Sequence, residues 1–234
     1  VNQQLNIGIP DIIRETKVVF NVQTNGIELP FERTVVYKYT DDVKGEVYNY
    51  LDIVPEVTTS IIDKVLLFKD TKIKYVGVKI KAGKDAVKGN LQLELPQNWG
   101  VSPKLIPFTI EKKGAEQIVY FEVTAPNKSD ESIAKSVAII GNKRFEKEQI
   151  IINYDHITKQ QVLKSAEAKC IKTDLKTNQE RIAYIMGAGD EVPSSLTQLG
   201  YTVTLLKPEE ITPEKLESFD VVMTGVRAYN TVTA

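Results

Sequence analysis

The sequence predicts a mainly β fold that ends in a short parallel α/β unit, and three observations support this prediction. Short β-branched and aromatic runs separated by turn residues fill the first two thirds of the chain, as in β-structure. After residue 178 the hydrophobic period changes, and apolar strands alternate with amphipathic helical segments. A hydrophobic content of 42% is ample for packed cores in one or two domains.

Composition and charge exclude several classes of partner and site. Thirty Lys and Arg against 31 Asp and Glu give a net charge of -1, so we expect neither nucleic acid nor an acidic membrane as a partner. No run approaches the roughly 20 apolar residues of a membrane span, and Val1 does not begin a signal peptide. The single cysteine, Cys170, and the single histidine, His156, exclude a disulfide framework and a thiolate-rich or His-rich metal site. We assign no chemistry to His156, and we expect no cofactor in this chain.

Residues 1–60 are predicted to form a small β-domain, with strands over 18–22, 34–40 and 46–53. Tyr37 and Tyr39 lie before the Asp41-Asp42 turn, and Tyr48 and Tyr50 lie after it. The period of two places each pair on one face of its strand, which predicts a hairpin with an aromatic face. That face is either a stacking platform for a ligand or a cross-strand cluster that covers a core. The turn carboxylates lack the alternating spacing of a calcium loop.

Residues 61–157 are predicted to form an antiparallel sandwich of immunoglobulin-like type. Its seven strands are expected over 65–68, 72–81, 90–95, 108–110, 117–124, 133–140 and 148–154. Val76, Val78 and Ile80 alternate with polar residues and should face the core. Trp99 lies in a loop, where the indole is either exposed and able to stack on a sugar ring or folded back to cap the sandwich.

Residues 158–178 are predicted to be a connector with one strand over 168–175, in which Cys170 is half-buried. Residues 179–234 then follow the order β-α-β-α-β, with strands over 181–186, 201–206 and 220–225, which predicts a parallel sheet of flavodoxin-like type. Such a domain normally has more strands, so we expect a truncated unit with an exposed sheet edge. That edge predicts either a dimer through the tail or a poorly ordered tail.

Two loops of this tail contain candidate ligand-binding residues, because loops at the carboxyl ends of parallel strands adjoin in a 2-1-3 strand order. The candidates are Gly187, Gly189 and Asp190 after the first strand and Arg227, Tyr229 and Asn230 after the third. The alternative is that these residues shape turns and pack against the rest of the domain. Nucleotide binding is disfavoured, since Val192 replaces the third glycine of G-x-G-x-x-G and Asp190 and Glu191 are negatively charged.

Several segments of the chain resemble two known families. The runs LELPQNWGVSP and FTIEKKGAEQIVYFEVTAP, about 35 residues together with the gap between them, are similar to the β-sandwich domain associated with bacterial α-galactosidases. That resemblance implies an accessory domain beside carbohydrate-active enzymes, without catalysis of its own. Four further blocks resemble the carboxyl-terminal region of PIG-L/LmbE family deacetylases of the Bacteroidetes type; they are YKYTDDVKGEVYNYLDIVPEV, YDHITKQQVLKSAEAKCIKTDL, RIAYIMGAGDEVPSSLTQLGYTVTLL and FDVVMTGVRAYNT.

The deacetylase resemblance implies that the partner of this region is a catalytic domain, whose motif is not found among these residues. In that family an amino-terminal domain removes acetyl groups from N-acetylglucosamine-type substrates at a zinc site with an A-H-x-D-D motif. Here Tyr39-Thr40 precedes Asp41-Asp42, so no zinc ligand carries over and zinc is expected only in the missing catalytic domain. The resemblance also implies a periplasmic or extracellular location, and the tail is similar to the class I glutamine amidotransferase-like fold.

Two functions follow as hypotheses. The first is a non-catalytic accessory region that binds glycan or acts as a scaffold for the deacetylase domain. The alternative is a fragment of an amidotransferase-like hydrolase. The alternative needs a nucleophile and a base within hydrogen-bond reach, and Cys170 precedes the first strand of the tail, so it cannot stand in for that fold's cysteine.

Overall fold

The computed structural model describes residues 16–231, so the first 15 residues of the predicted small β-domain lie outside it. Strands make up 54% of the described residues and helices 8%, which confirms the mainly β prediction. The described residues divide into two compact units. The first unit comprises the described residues up to Val54 together with Ile150–Val162, and the second comprises Pro55–Gln149 and the described residues from Leu163 onward. Between residues 16 and 231, no helix is long and apolar enough to cross a membrane.

The first unit contains two β-hairpins, with all strands numbered in chain order. β1 (Lys17–Thr24) pairs with β2 (Ile27–Thr34), and β3 (Val36–Asp41) pairs with β4 (Gly45–Tyr50). The first hairpin turns at Asn25 and Gly26, whose φ angles of 49° and 79° are those of a two-residue turn that matches the strand twist. Strand β2 was not among the predicted strands, because Glu28 and Pro30 are unfavourable strand residues.

The second unit contains a sandwich of two sheets. The larger sheet has the spatial order β10 (Ile106–Ile110), β8 (Val87–Glu94), β12 (Asp130–Ile140), β16 (Glu167–Lys172) and β6 (Val65–Phe68), with β13 (Lys143–Phe145) also paired to β12. The smaller sheet has the order β5 (Val57–Ile61), β7 (Lys74–Ala82), β11 (Glu116–Thr124) and β9 (Gly100–Ser102). Neighbouring strands are antiparallel except β16 and β6, which are parallel.

The core of the sandwich forms between the two sheets. Val76, Val78 and Ile80 of β7 are buried, as their alternation predicted. They belong to one hydrophobic cluster with Leu91 and Leu93 of β8 in the opposite sheet. A cluster drawn from both inner faces is the arrangement expected of a two-layer sandwich.

The structure differs from the sequence prediction at both ends of the sandwich. β5 crosses the boundary expected at residue 60 and belongs to the smaller sheet. The strand expected in a connector forms as β16 and lies inside the larger sheet, between β12 and β6. Cys170 is therefore fully buried rather than half-buried. The sequence did not reveal this position of β16 because its pairing with β12 is long-range. A hairpin of β14 (Lys147–Ile152) and β15 (Gln160–Ser165) separates the two strands in the chain.

The carboxyl-terminal part of the second unit is a three-stranded parallel sheet with the order β18-β17-β19, which is the predicted 2-1-3 order. Its elements are β17 (Arg181–Ile185), α1 (Val192–Gln198), β18 (Thr202–Leu206), a 3-10 turn (Pro208–Glu210), α2 (Pro213–Leu216), β19 (Val221–Thr224) and α3 (Ala228–Thr231). Pro193 lies in the first turn of α1, and Gly200, with a φ of 94°, follows its end.

The side chain of Gln198 joins α1 to the outer strand of the larger sheet. The backbone N–H of Leu67 donates to Gln198 Oε1 at 2.7 Å, and Gln198 Nε2 donates to the carbonyl of Val65 at 3.2 Å. The side-chain amide of Gln198 therefore makes the hydrogen bonds to the backbone of β6 that a neighbouring strand would make. It thus protects the exposed edge of the sheet. Lys74 Nζ donates to the Gln198 carbonyl at 2.6 Å and also to the Leu67 carbonyl. Burial lowers the pKa of Lys74.

Replacement of Gln198 should expose the edge of β6. We expect Gln198→Ala to reduce the free energy of unfolding by about 1–3 kcal/mol, since backbone groups at Val65 and Leu67 lose partners. The Leu67 amide should exchange faster with solvent deuterium. Thr197→Ala is the matched control, because that exposed side chain bonds only within its own helix. Equal Leu67 exchange in the two variants would contradict the role of Gln198.

Candidate functional site

The four tyrosines of hairpin β3–β4 do not share one face. Tyr37 lies opposite Asn49, and Tyr48 lies opposite Lys38. Residues directly opposite each other share a face, so Tyr37 and Tyr39 point to one side and Tyr48 and Tyr50 to the other. The predicted single aromatic face is therefore wrong. The pairing of Asp41 with Gly45 sets this register, and no periodicity within either strand reveals it.

The turn of this hairpin uses its own carboxylate. Asp41 Oδ1 accepts hydrogen bonds from the backbone N–H groups of Val43 and Lys44, each at 2.9 Å. These bonds lower the pKa of Asp41, since they favour the ionised form. The carboxylate of Asp41 thus holds the turn together.

A polar cleft of about 520 Å³ lies beside β4 in the first unit. It is lined by Tyr39, Lys44, residues 46–49 and residues 153–159. We call it the aromatic cleft, because Tyr39, Tyr48, Tyr154 and His156 all line it. Of the four predicted tyrosines, Tyr39 and Tyr48 line the cleft, and Tyr37 and Tyr50 are not among its lining residues.

Neighbouring groups orient the aromatic rings of the cleft. Tyr154 and His156 stack with ring centroids 5.9 Å apart, and Tyr37 stacks on Tyr39 at 5.7 Å. The Tyr48 hydroxyl donates to Glu46 Oε2 at 2.8 Å. Tyr154 is 63% exposed and Tyr39 is 39% exposed, so neither side chain is buried.

An ion pair connects the two sides of the aromatic cleft. Lys44 Nζ lies 2.6 Å from Asp155 Oδ1. This contact lowers the pKa of Asp155 and raises that of Lys44. Glu46 and Lys159 add one further charge of each sign to the lining. The cleft is therefore balanced in charge and offers both hydrogen-bond donors and acceptors.

Sequence reasoning missed the contribution of residues 153–159 to this site. About a hundred positions separate them from β4, and no local pattern pairs the two segments. A signal was present in the Asn153-Tyr154-Asp155-His156 run, where polar and aromatic residues directly follow a strand. His156, to which the sequence assigned no chemistry, is an exposed member of the cleft.

Trp99 belongs to the core of the sandwich. Its side chain is 4% exposed and meets the Phe68 ring edge-on, with centroids 5.0 Å apart. The indole Nε1 donates to Asp130 Oδ2 at 2.6 Å. The indole is therefore not exposed for stacking on a ligand, and it caps the sandwich. Hydrogen bonds from Ser132 and then Trp99 lower the pKa of Asp130.

The two candidate loops of the parallel sheet adjoin, as the strand order predicted. The N–H of Ala188 donates to the carbonyl of Val226 at 2.9 Å, and the N–H of Val226 donates to Asp190 Oδ2 at 3.2 Å. A side chain on Gly187 would place its Cβ 2.0 Å from the Val226 carbonyl oxygen. Gly189 has a φ of 96°, which disfavours other residues there. Gly187 and Gly189 therefore shape these loops.

The carboxylate of Asp190 binds backbone N–H groups that could otherwise bind an anionic ligand at this end of the sheet. Its carboxylate accepts from the Tyr184 hydroxyl at 2.9 Å and from the N–H of Val192 at 3.1 Å, in addition to Val226. The Tyr184 hydrogen bond is the main cause of its lowered pKa, while burial raises the pKa of Tyr184. The arrangement favours the turn-shaping alternative for Asp190.

The remaining candidates lie in the turn that begins α3. Arg227 has a φ of 58°, and its carbonyl accepts from the N–H of Asn230 at 2.9 Å. Tyr229 is 87% exposed. This segment therefore presents an aromatic side chain to solvent beside loops that are closed by Asp190.

Cys170 is not available as a nucleophile. It is buried in the sandwich core, and burial raises the pKa of its thiol to about 11. Little thiolate therefore exists at neutral pH. Among residues 16–231, no group of three or more His, Cys, Asp and Glu side chains could hold a metal ion.

No family model matches the sequence, and no curated protein matches it. Among solved structures, the Caenorhabditis elegans MSP family member WR4 is similar to 51% of this chain over 100% of its own length, with 8% identity and a TM-score of 0.27. A family 123 glycoside hydrolase from Clostridium perfringens, studied for glycolipid glycan hydrolysis, is similar to 56% of this chain over 30% of its own, with 9% identity and a TM-score of 0.30. Both resemblances are weak, and neither carries information about the function of this chain.

The hydrogen bonds that Asp130 accepts from Ser132 and Trp99 should make stability depend on acid pH. The folded-state pKa of Asp130 lies below its ordinary value of 3.8, so its stabilising contribution is present above that value. The contribution is lost as the pH falls through the folded-state pKa. We expect Asp130→Asn to lower the urea midpoint at pH 6, and we expect its difference from the wild-type midpoint to shrink as the pH falls below 3.8. A difference in midpoint that stays constant over this range would contradict the assignment.

Proposed function

We propose that this chain is a non-catalytic accessory region of a PIG-L/LmbE-type carbohydrate deacetylase and that it binds glycan in the aromatic cleft. The observation that supports this proposal is that Tyr39, Tyr48, Tyr154 and His156 all line one polar cleft. The sequence blocks that resemble the deacetylase family supply the enzyme class. Deacetylation and zinc belong to the catalytic domain, which is the proposed partner, in a periplasmic or extracellular location.

The chemistry of the aromatic cleft suits a neutral sugar. Aromatic rings can stack on the apolar C–H face of a sugar ring, while its hydroxyl groups need both donors and acceptors. Lys44, Asn49 and Asp155 provide such groups around the cleft. Its volume of about 520 Å³ lies within the range of about 300–1,000 Å³ found for small-molecule sites. The balance of charge disfavours a strongly ionic ligand.

The alternative function, an amidotransferase-like hydrolase fragment, receives less support. That chemistry requires an accessible nucleophile beside a base. The only cysteine, Cys170, is buried and its thiol pKa is raised to about 11. At the end of the parallel sheet, Asp190 already accepts the backbone N–H groups of Val192 and Val226. These contacts favour a supporting role for the α/β part.

Binding to a panel of soluble polysaccharides and N-acetylglucosamine oligomers tests the proposal. We expect affinity electrophoresis to show retardation by at least one glycan and Tyr154→Ala to weaken binding about fivefold, as for loss of one stacking contact of about 1 kcal/mol. Tyr75→Ala is the matched control, because Tyr75 is 69% exposed on the sandwich, close to the 63% of Tyr154. Absence of binding across the panel, or equal loss in both variants, would contradict the proposal.

A further inference from the structure

Hairpin β1–β2 of the first unit has one apolar face that remains exposed. The register pairs Phe20 with Phe31, Val22 with Leu29 and Val18 with Arg33. Paired residues share a face and alternate along each strand, so one face collects every second residue. Its apolar members are Val18, Phe20, Val22, Ile27, Leu29 and Phe31, which we call the apolar hairpin face. Their exposed fractions range from 41% for Leu29 to 61% for Ile27.

The opposite face of the same hairpin is suited to water. Lys17 and Glu32 form an ion pair of 2.8 Å there, and Asn21, Gln23 and Glu28 share that side. A two-faced antiparallel ribbon of this kind normally packs its apolar side against another surface. The apolar side chains of this hairpin are nevertheless about half exposed.

The size of the apolar hairpin face fits a small protein interface. Each of the six side chains exposes about half of the area that a side chain of its type can bury. Together they present roughly 500 Å² of apolar surface. Contiguous apolar patches of that size on monomers are often interaction sites. Two copies packed face to face would bury about 1,000 Å² together, which reaches the lower limit expected for a specific interface.

We propose that a second copy of this chain covers the apolar hairpin face in an isologous dimer. A two-fold interface places the same patch on both partners, so an uncharged apolar surface meets an identical one. The one charged residue on this face, Arg33, lies at the open end of the hairpin, opposite Val18. An antiparallel arrangement of the two hairpins keeps the two Arg33 side chains at opposite ends of the interface. The net charge of -1 adds little repulsion between copies.

The parallel sheet, which the sequence suggested as a dimer surface, offers a less continuous patch. Val221 and Val222 of its outer strand β19 are 41% and 46% exposed. They are adjacent in the strand, so they point to opposite sides of the sheet. A charged residue in the apolar hairpin face should therefore abolish a dimer that forms through that face. It should leave a dimer that forms through the parallel sheet intact.

Sedimentation velocity on the 234-residue chain and two charge variants tests the dimer. We expect the wild-type chain to be dimeric at tens of micromolar and to dissociate on dilution. Phe20→Glu should abolish the dimer, because it places a carboxylate at the centre of the apolar hairpin face. Val19→Glu is the matched control, since Val19 is adjacent, 51% exposed and on the opposite face, and it should remain dimeric. A monomeric wild-type chain, or a dimer that persists in Phe20→Glu, would overturn the proposal.

Cross-linking provides a second test that does not depend on the folding of Phe20→Glu. Cys170 is buried, so a cysteine introduced on the surface is the reactive thiol. Val22→Cys on the apolar hairpin face should give a covalent dimer with a short bismaleimide. Asn21→Cys on the opposite face should give at most a trace of it. Equal cross-linking of the two variants would show that the copies do not meet through this face.

Discussion

The pairing of β12 with β8 on one side and β16 on the other is the constraint on which the second unit depends. Ala134 lies opposite Ala168, and Ala138 lies opposite Leu91, with all four side chains buried. This pairing brings β16 into the larger sheet and so places β6 at its edge, where Gln198 can bind it. The same strand begins at Asp130, which accepts the Trp99 indole N–H. One long strand thus fixes the core, its cap and the attachment of the α/β part.

The α/β part shows how a fold associated with ligand binding can satisfy its own polar groups. Parallel sheets present free N–H groups at the carboxyl ends of their strands, and these commonly bind anions. Here the Asp190 carboxylate accepts the N–H groups of Val192 and Val226 together with the Tyr184 hydroxyl. The loops are therefore cross-linked by a charge of the chain itself, and an anion would have to displace it. The aromatic cleft of the first unit is therefore the better candidate for a ligand site.

Local patterns predicted the elements whose signals are local. The alternation of β7 identified its buried face, and the change of hydrophobic period after residue 178 identified the strands of the parallel sheet. Predictions failed where the answer depended on a distant partner or on the register of a turn. β16 resembled a connector because its partner strand is more than 30 residues away, and the tyrosine faces depended on the register of one turn. The aromatic cleft could not be predicted, because residues 153–159 meet β4 only in the folded chain.

The order of the chain links the aromatic cleft to the sandwich. Residues 153–159 belong to an excursion between β12 and β16 that is closed at its base, where the N–H of Ala166 donates to the Glu146 carbonyl and the N–H of Ser136 donates to the Ala166 carbonyl. The far end of this excursion carries Asp155, which pairs with Lys44. The strands that lead into and out of residues 153–159, β14 and β15, pair with each other, so the cleft combines the tip of this hairpin with the turn of hairpin β3–β4. A ligand that binds only the assembled cleft would stabilise this arrangement by mass action.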